Sequence, residues 1–339
     1  MTTLQESATY QEIKSQPEAW AQAMEVARAA RVPDLRDYEQ VVFTGCGSTY
    51  YLSLASAALF QELTGRAARA APGGELLLNS QVFLTGQRTL LVALSRSGTT
   101  TETVEAAKKF KAEQRGDLMV ISNDDQALSR LADGNIVIPK GREESVAQTR
   151  SFASMFVAVS ALCARMAARD DLLSAMMGLP KIGARLMEQT ESYAKEIGQD
   201  LRFDRFYFLG SGVRYGLACE VNLKMKEMTL THSEPFHFLE FRHGPMSMVN
   251  EKAVVVGMVS EKNLRHERAV LNEMGLLGGK IVALAEADAD VSFHSRIPEI
   301  GRAVLYLPAL QLMACYRSLA KGLSPDRPKN LTAVVQLEL

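Results

Sequence analysis

Cysteine is scarce in this sequence and nowhere paired. Cys46, Cys163, Cys219 and Cys315 form no Cys-x-x-Cys, which argues against a disulfide framework and reads as reduced thiols. The five histidines, His232, His237, His243, His266 and His294, show no His-Glu-x-x-His spacing. No metal and no cofactor is therefore expected. An excess of either charge is missing too, with a formal net charge of −1. Without a basic run or a base-stacking motif, neither nucleic acid nor an acidic membrane surface is an expected partner. No apolar run is read as reaching the ~18 residues of a membrane span. The first residues, Met1 to Ser7, are polar and acidic, unlike a signal peptide. A cytoplasmic protein is expected.

What the chain does have is its own beginning twice. Phe43-Thr44-Gly45-Cys46-Gly47-Ser48-Thr49-Tyr50-Tyr51-Leu52 returns 165 residues later as Phe208-Leu209-Gly210-Ser211-Gly212-Val213-Arg214-Tyr215-Gly216-Leu217. Glu62 falls on Glu227 at the same offset. So long a period is a duplicated domain, since solenoid units run ~20–50 residues. The length of 339 residues and an apolar content of 47% suit two globular domains.

Short apolar runs alternate with helical stretches. In the first half the expected strands are 40–44, 89–94, 118–122 and 135–138, with helices over 50–63 and 101–113. In the second half they are 205–209, 253–259, 280–284 and 303–307. Continuous apolar strands imply parallel sheets covered on both faces. Residues 7–30 read as helix broken near Pro17, and 151–197 as helix interrupted near Gly178-Leu179-Pro180. The expected organisation is a helical segment (1–30), a first domain (31–165), a helical connector (166–197), a second domain (198–321) and an extended tail (322–339).

Ligands of doubly wound sheets sit beyond the carboxyl ends of the strands. Gly45 to Thr49 and Ser95-Arg96-Ser97-Gly98-Thr99-Thr100 both fall there. Hydroxyls, a glycine and free amides before a helix suit a phosphate. They also suit a polar helix cap. The second copy reads Ser260-Glu261-Lys262-Asn263-Leu264, which suits an anion poorly. The Gly45-Cys46-Gly47 turn has Tyr50 where a dinucleotide fingerprint needs its third glycine. It reads as a tight turn whose Ser48 and Thr49 reach substrate. Glu220, Lys224 and Glu227 share one helix face beside Leu217, Val221, Met225 and Met228. That face suits either a solvated ion pair or a reactive carboxylate. His243, in a turn before Gly244-Pro245, suits either a proton carrier or a backbone-bonded turn residue.

Together these motifs resemble the SIS (sugar isomerase) family, in particular the isomerase half of its glutamine-dependent synthases. The likeness spans nearly the whole chain. It includes Gln11 to Pro17, Cys46 to Thr49, Ser95 to Thr100, Glu144 to Thr149, Leu223 to Glu227, Arg242 to Pro245 and Asp326 to Leu331. The resemblance implies tandem SIS domains, each a doubly wound parallel α/β sheet, in a homodimer with shared active sites. It implies a hexose or hexosamine 6-phosphate bound by Cys46, Gly47, Ser48, Thr49, Ser95, Arg96, Ser97, Gly98, Thr100, Val146 and Gln148. Glu227 would match the base that moves a proton between C1 and C2, and His243 the ring-opening residue supplied by the partner subunit. Lys224 would lie near the reacting carbons, with Glu220 supporting it. Three departures stand out: no glutaminase domain or amino-terminal catalytic cysteine, Arg96 in place of a loop glutamine, and Ala333 in place of a tail lysine. The expectation is an amino-sugar phosphate isomerase of the deaminase kind. A non-catalytic sugar-phosphate sensor and a deglycase of fructosyl-amino acid phosphates are the alternatives.

Overall fold

A computed structural model describes residues 4–335 and 337. Met1 to Thr3 and, in the tail, Gln336, Glu338 and Leu339 lie outside the described residues. The chain forms two compact units. One holds residues 16–143, 150–177 and the chain from 332 onward; the other holds residues 1–15, 144–149 and 178–331.

The 16–143 unit is built on strands β1 (Gln40–Gly45), β2 (Ala68–Pro72), β3 (Thr89–Ser95), β4 (Gly116–Ser122) and β5 (Gly134–Val137). They pair in the order β2-β1-β3-β4-β5, all parallel. Every residue of β1 and β3 is buried, as a strand covered on both faces requires. Alternate residues divide the labour. Val42, Leu91, Ala93, Leu118 and Val120 pack with Val104, Ala107 and Phe110 of the Thr101–Ala112 helix.

The 178–331 unit repeats this plan with β6 (Arg205–Leu209), β7 (His232–Phe236), β8 (Ala253–Met258), β9 (Lys280–Ala285) and β10 (Val291–Ser292). The order is β10-β9-β8-β6-β7, again all parallel, so β6 and β8 stand where β1 and β3 do. Sequence reading missed β2, β7 and β10. All three are edge strands; Ala68-Arg69-Ala70-Ala71-Pro72 and His232-Ser233-Glu234-Pro235-Phe236 have no apolar run to announce them, and β10 is two residues long.

One expected strand is not a strand. Residues 303–307 form a 3-10 turn (Ala303–Tyr306) that runs into the helix Leu307–Ala320 with Pro308 in its first turn. A short apolar run fits a strand or a buried helix equally, and here the apolar sequence continues too far for a strand. The window Ala303–Ala320 also has the length and mean hydropathy (1.2) of a membrane span, so the expectation that no run reaches that length fails. It is 89% buried inside the protein. The helical stretches resolve into Ala8–Lys14 and Gln16–Ala29, then Arg150–Met166, Asp170–Met176 and Leu179–Gln199.

Two carboxylates fasten distant segments of the 178–331 unit. Asp326, in the tail, accepts the amides of Ala8 and Thr9 at 3.0 and 2.8 Å and the Ser7 hydroxyl at 2.7 Å. An anion thus seats on the first turn of the Ala8–Lys14 helix. The Asp326 carbonyl accepts the Val146 amide at 2.9 Å. Glu12, on the same helix, accepts the amides of Glu144 and Ser145 at 2.6 and 3.2 Å, and the Ser145 hydroxyl. Residues 144–149 are therefore held by the amino-terminal helix and by the tail.

Partial burial alone would raise the Asp326 carboxyl pKa, but these hydrogen bonds outweigh it and hold the value below the ordinary 3.8. A depressed carboxylate contributes stability at neutral pH that is lost as pH falls through its folded-state value. We expect Asp326→Ala to cost about 1–3 kcal/mol in urea unfolding at pH 7. The gap to wild type should narrow below about pH 4, where protonation removes the same contacts. An unchanged midpoint at pH 7 would refute this role.

Candidate active site

Each unit turns from its first strand into a helix through Gly-x-Gly. Gly47 has φ 56° and ψ −123°, and Gly212 has φ 58° and ψ −130°. Side chains with a Cβ rarely enter this region, so both copies need glycine here. In the first turn, the Cys46 amide donates to Thr49 Oγ1 at 2.9 Å, and that hydroxyl donates to the Cys46 carbonyl at 2.9 Å. Thr49 is thus engaged in closing the turn. Ser48 opens the Ser48–Thr64 helix and is 5% exposed. Burial raises the Cys46 thiol pKa, only partly offset by its 3.4 Å contact with Thr103 Oγ1. Cys46 is a packed thiol rather than a nucleophile.

The Ser95–Thr100 loop lies at the carboxyl end of β3, next to β1 and so on the same sheet edge as this turn. Its own hydroxyls shape it. The Gly98 amide donates to Ser95 Oγ at 3.1 Å, and the Thr99 amide and hydroxyl donate to Ser97 Oγ at 3.2 and 3.0 Å. Gly98 has φ 66° and lies close to the Asp124 carbonyl. Thr100 stands at the N-cap of Thr101–Ala112 but makes no side-chain cap bond. The polar-cap alternative thus lacks its defining contact. The tail reaches this loop: the Arg96 guanidinium donates to the Ala333 carbonyl, and the Leu337 amide donates to Thr101 Oγ1 at 3.2 Å. This pairs the two positions where the sequence departs from the family pattern. Val146 and Gln148 belong to the other compact unit, in the segment tied by Glu12 and Asp326.

The helix Val213–Thr229 follows the second Gly-x-Gly turn and packs on β6, β7 and the Leu307–Ala320 helix. Leu217, Val221, Met225 and Met228 are buried on it, as the stripe implied. The charged face is buried as well. Glu220 is 0% exposed, Lys224 1% and the Glu227 side chain 17%. Lys224 Nζ donates to Glu227 Oε2 at 2.6 Å and stands 3.4 Å from Glu220 Oε1. The solvated-face alternative is therefore excluded. One lysine is shared by two carboxylates, and Glu227, the more exposed, keeps Oε1 outside the lysine bond. Burial pushes the Cys219 thiol on this helix up to about 11. His243 is exposed; its amide donates to the Glu240 carbonyl at 2.9 Å, and it makes no ion pair with this trio.

Two parallel sheets of identical strand order, each with its first strand leading into a helix through a Gly-x-Gly turn, define a duplicated doubly wound α/β fold. The chain belongs to the SIS domain family, whose profile matches residues 34–165 and 202–314. It is 26% identical over 321 residues to a glutamine–fructose-6-phosphate aminotransferase [isomerizing] of Methanothermobacter thermautotrophicus, covering 91% of this chain and 53% of that protein. For the Pyrococcus horikoshii protein of the same name the figures are 29% over 349 residues, 96% and 57%. The chain thus spans about half the length of these curated relatives. A glucosamine-6-phosphate deaminase structure from Thermotoga maritima superposes with TM-score 0.82 at 26% identity, covering 98% of this chain and all of that one. A tagatose-6-phosphate ketose/aldose isomerase from Escherichia coli shares the fold (TM-score 0.79, 22% identity, 95% of each chain).

The buried trio makes a stability test. Lys224→Met strands two carboxylates and should cost about 3–5 kcal/mol in chemical denaturation. Lys108→Met, which removes the exposed i,i+3 partner of Glu105, should cost under about 1 kcal/mol. Equal effects would place Lys224 among ordinary surface ion pairs.

Proposed function

We propose that this chain is a metal-independent phosphosugar isomerase acting on a hexosamine 6-phosphate, with release of the amine as ammonia. The observation that carries this reading is the Lys224-clamped carboxylate of Glu227. It is preformed on a buried helix face in a fold whose other unit presents a phosphate-suited loop. The names of the relatives, an isomerising aminotransferase and a hexosamine-phosphate deaminase, point to the same chemistry.

In this reading the amides and hydroxyls of Ser95 to Thr100 hold the phosphate dianion, backed by the positive end of the Thr101–Ala112 helix. Cys46, Gly47, Ser48 and Thr49 shape the adjoining wall, and the Val146 carbonyl and the Gln148 side chain supply polar contacts to the sugar. His243, from the partner subunit of a homodimer, moves the proton that opens the ring. Glu227 takes the proton from C2 of the open-chain amino sugar as the C1 carbonyl oxygen takes one up from solvent, and returns it at C1 as the nitrogen gives one up. Both transfers occur on one face of an enolamine, so one carboxylate suffices. The product is an imine at C2, which water hydrolyses to ketose phosphate and ammonia. No electrons enter or leave, so no redox partner is needed. Lys224 positions Glu227, and Glu220 holds Lys224.

Hexose 6-phosphates should raise the melting temperature, while the free hexoses should not. A ligand at 100 times its dissociation constant adds about 2.7 kcal/mol. Equal shifts from glucose and glucose 6-phosphate would sink the phosphate assignment. Glu227→Gln keeps the shape and removes the charge. It should fold and bind hexosamine 6-phosphate, yet lose about 100- to 10,000-fold in ammonia release and in exchange of the C2 proton with solvent deuterium. Near-wild-type turnover would dismiss Glu227 as the base. A wild type that exchanges C2 in no hexose or hexosamine 6-phosphate would leave a sugar-phosphate sensor. Release of an amino acid from fructosyl-amino acid phosphates would make it a deglycase.

A further inference from the structure

The counterpart of the Ser95 loop in the second repeat is neither degenerate nor idle. It lies at the carboxyl end of β8, 165 residues on, as Ser260-Glu261-Lys262-Asn263-Leu264. One hydrogen bond of that loop recurs here, although Gly98 is left-handed at φ 66° and its counterpart Asn263 has φ −115°. The Asn263 amide donates to Ser260 Oγ at 3.0 Å, as the Gly98 amide does to Ser95 Oγ at 3.1 Å. The amides of Glu261 and Lys262, counterparts of Arg96 and Ser97, both donate to Glu299 Oε2, at 2.8 and 3.2 Å. Glu299 Oε1 accepts from Arg214 Nη1 at 2.5 Å. Arg214 is the counterpart of Thr49 and stands in the first turn of the helix that carries Glu220, Lys224 and Glu227. Its other terminal nitrogen is 3.3 Å from Glu267, the counterpart of Glu102, whose Oε2 accepts the Ser260 amide and hydroxyl at 2.6 and 2.9 Å. Arg214 is 8% exposed, and its Nε is buried with no hydrogen-bond partner among the described residues.

Two backbone amides ahead of the 13-residue Leu264–Leu276 helix and one buried guanidinium thus converge on a single carboxylate. That donor set is one that holds a phosphate or sulfate. We propose that the second repeat retains a working oxyanion seat, and that its resident anion is the protein's own Glu299 carboxylate. The seat then serves a structural end. Through Arg214, Glu299 anchors the amino end of the Val213–Thr229 helix to the Ser260 loop, and so positions the trio further along it. If the Ser95 loop binds phosphate as proposed above, the internal anion also limits each chain to one such site. Removing it leaves the amides of Glu261 and Lys262 and the Arg214 guanidinium aimed at a vacated space that an inorganic oxyanion fills. An ordinary ion pair predicts otherwise, because Arg214 would stay neutralised by Glu267 and no ligand would enter.

The test is Glu299→Ala, with inorganic phosphate as the probe, at constant ionic strength and beside wild type. Equilibrium dialysis should count one more phosphate per chain on the variant than on wild type. This difference holds whether or not the Ser95 loop binds phosphate, so its failure is separate from failure of the proposed function. The variant should melt lower in chloride and recover in phosphate by more than the general shift wild type shows. Adding Arg214→Met should abolish the extra phosphate. A variant that folds in phosphate but not in chloride of equal ionic strength also supports the seat. A folded variant with no additional phosphate, or one that folds in neither salt, overturns it.

Discussion

A parallel strand that turns into a helix leaves backbone amides unpaired at the carboxyl edge of its sheet, and a hydroxyl, a water or an anion must meet them. This chain makes that turn twice in the same sheet position, after β3 and after β8. After β3 the loop is shaped by Ser95 and Ser97 while Thr100 leaves the helix start uncapped by a side chain. After β8 the amides are taken by Glu299 and Glu267, with Arg214 balancing both. Sheet order, Gly-x-Gly turn and the loop's amide-to-serine hydrogen bond are common to the two copies. What differs is that after β8 the protein's own carboxylates meet the loop amides.

The same economy appears along Val213–Thr229. A solvent-facing Glu–Lys pair contributes a few tenths of a kcal/mol. Burying it forces each charge to find a partner, since an unpaired buried ion costs far more. Lys224 meets both Glu220 and Glu227, so the buried charges of this helix face are paired with one another. Preorganisation of this kind would suit the proton transfer proposed for Glu227, because the geometry is settled in folding rather than in the reaction.

Segments far apart in sequence are also made to serve one another. Asp326 caps the first helix, its carbonyl holds Val146, and Glu12 on that helix holds Glu144 and Ser145. Arg96 and Ala333, two departures from the family pattern, meet each other. The motifs were visible as strings; that the strings are each other's hydrogen-bond partners was not.

The sequence alone determined the duplication, the parallel sheets, the Gly-x-Gly turns and the shared face of Glu220, Lys224 and Glu227. These rest on local rules: apolar period, glycine's access to positive φ, and helical spacing. β2 and β7 escaped because an edge strand is only partly buried and so needs no continuous apolar run. Residues 303–307 misled because a five-residue apolar run carries no period that separates strand from helix. Whether Glu220 and Lys224 were wet or dry was decided by the packing of β6, β7 and the Leu307–Ala320 helix against their own helix. Glu299's place on the Ser260 loop was likewise decided only in three dimensions. Burial and long-range hydrogen bonds depend on which distant segments arrive, and no local pattern encodes that.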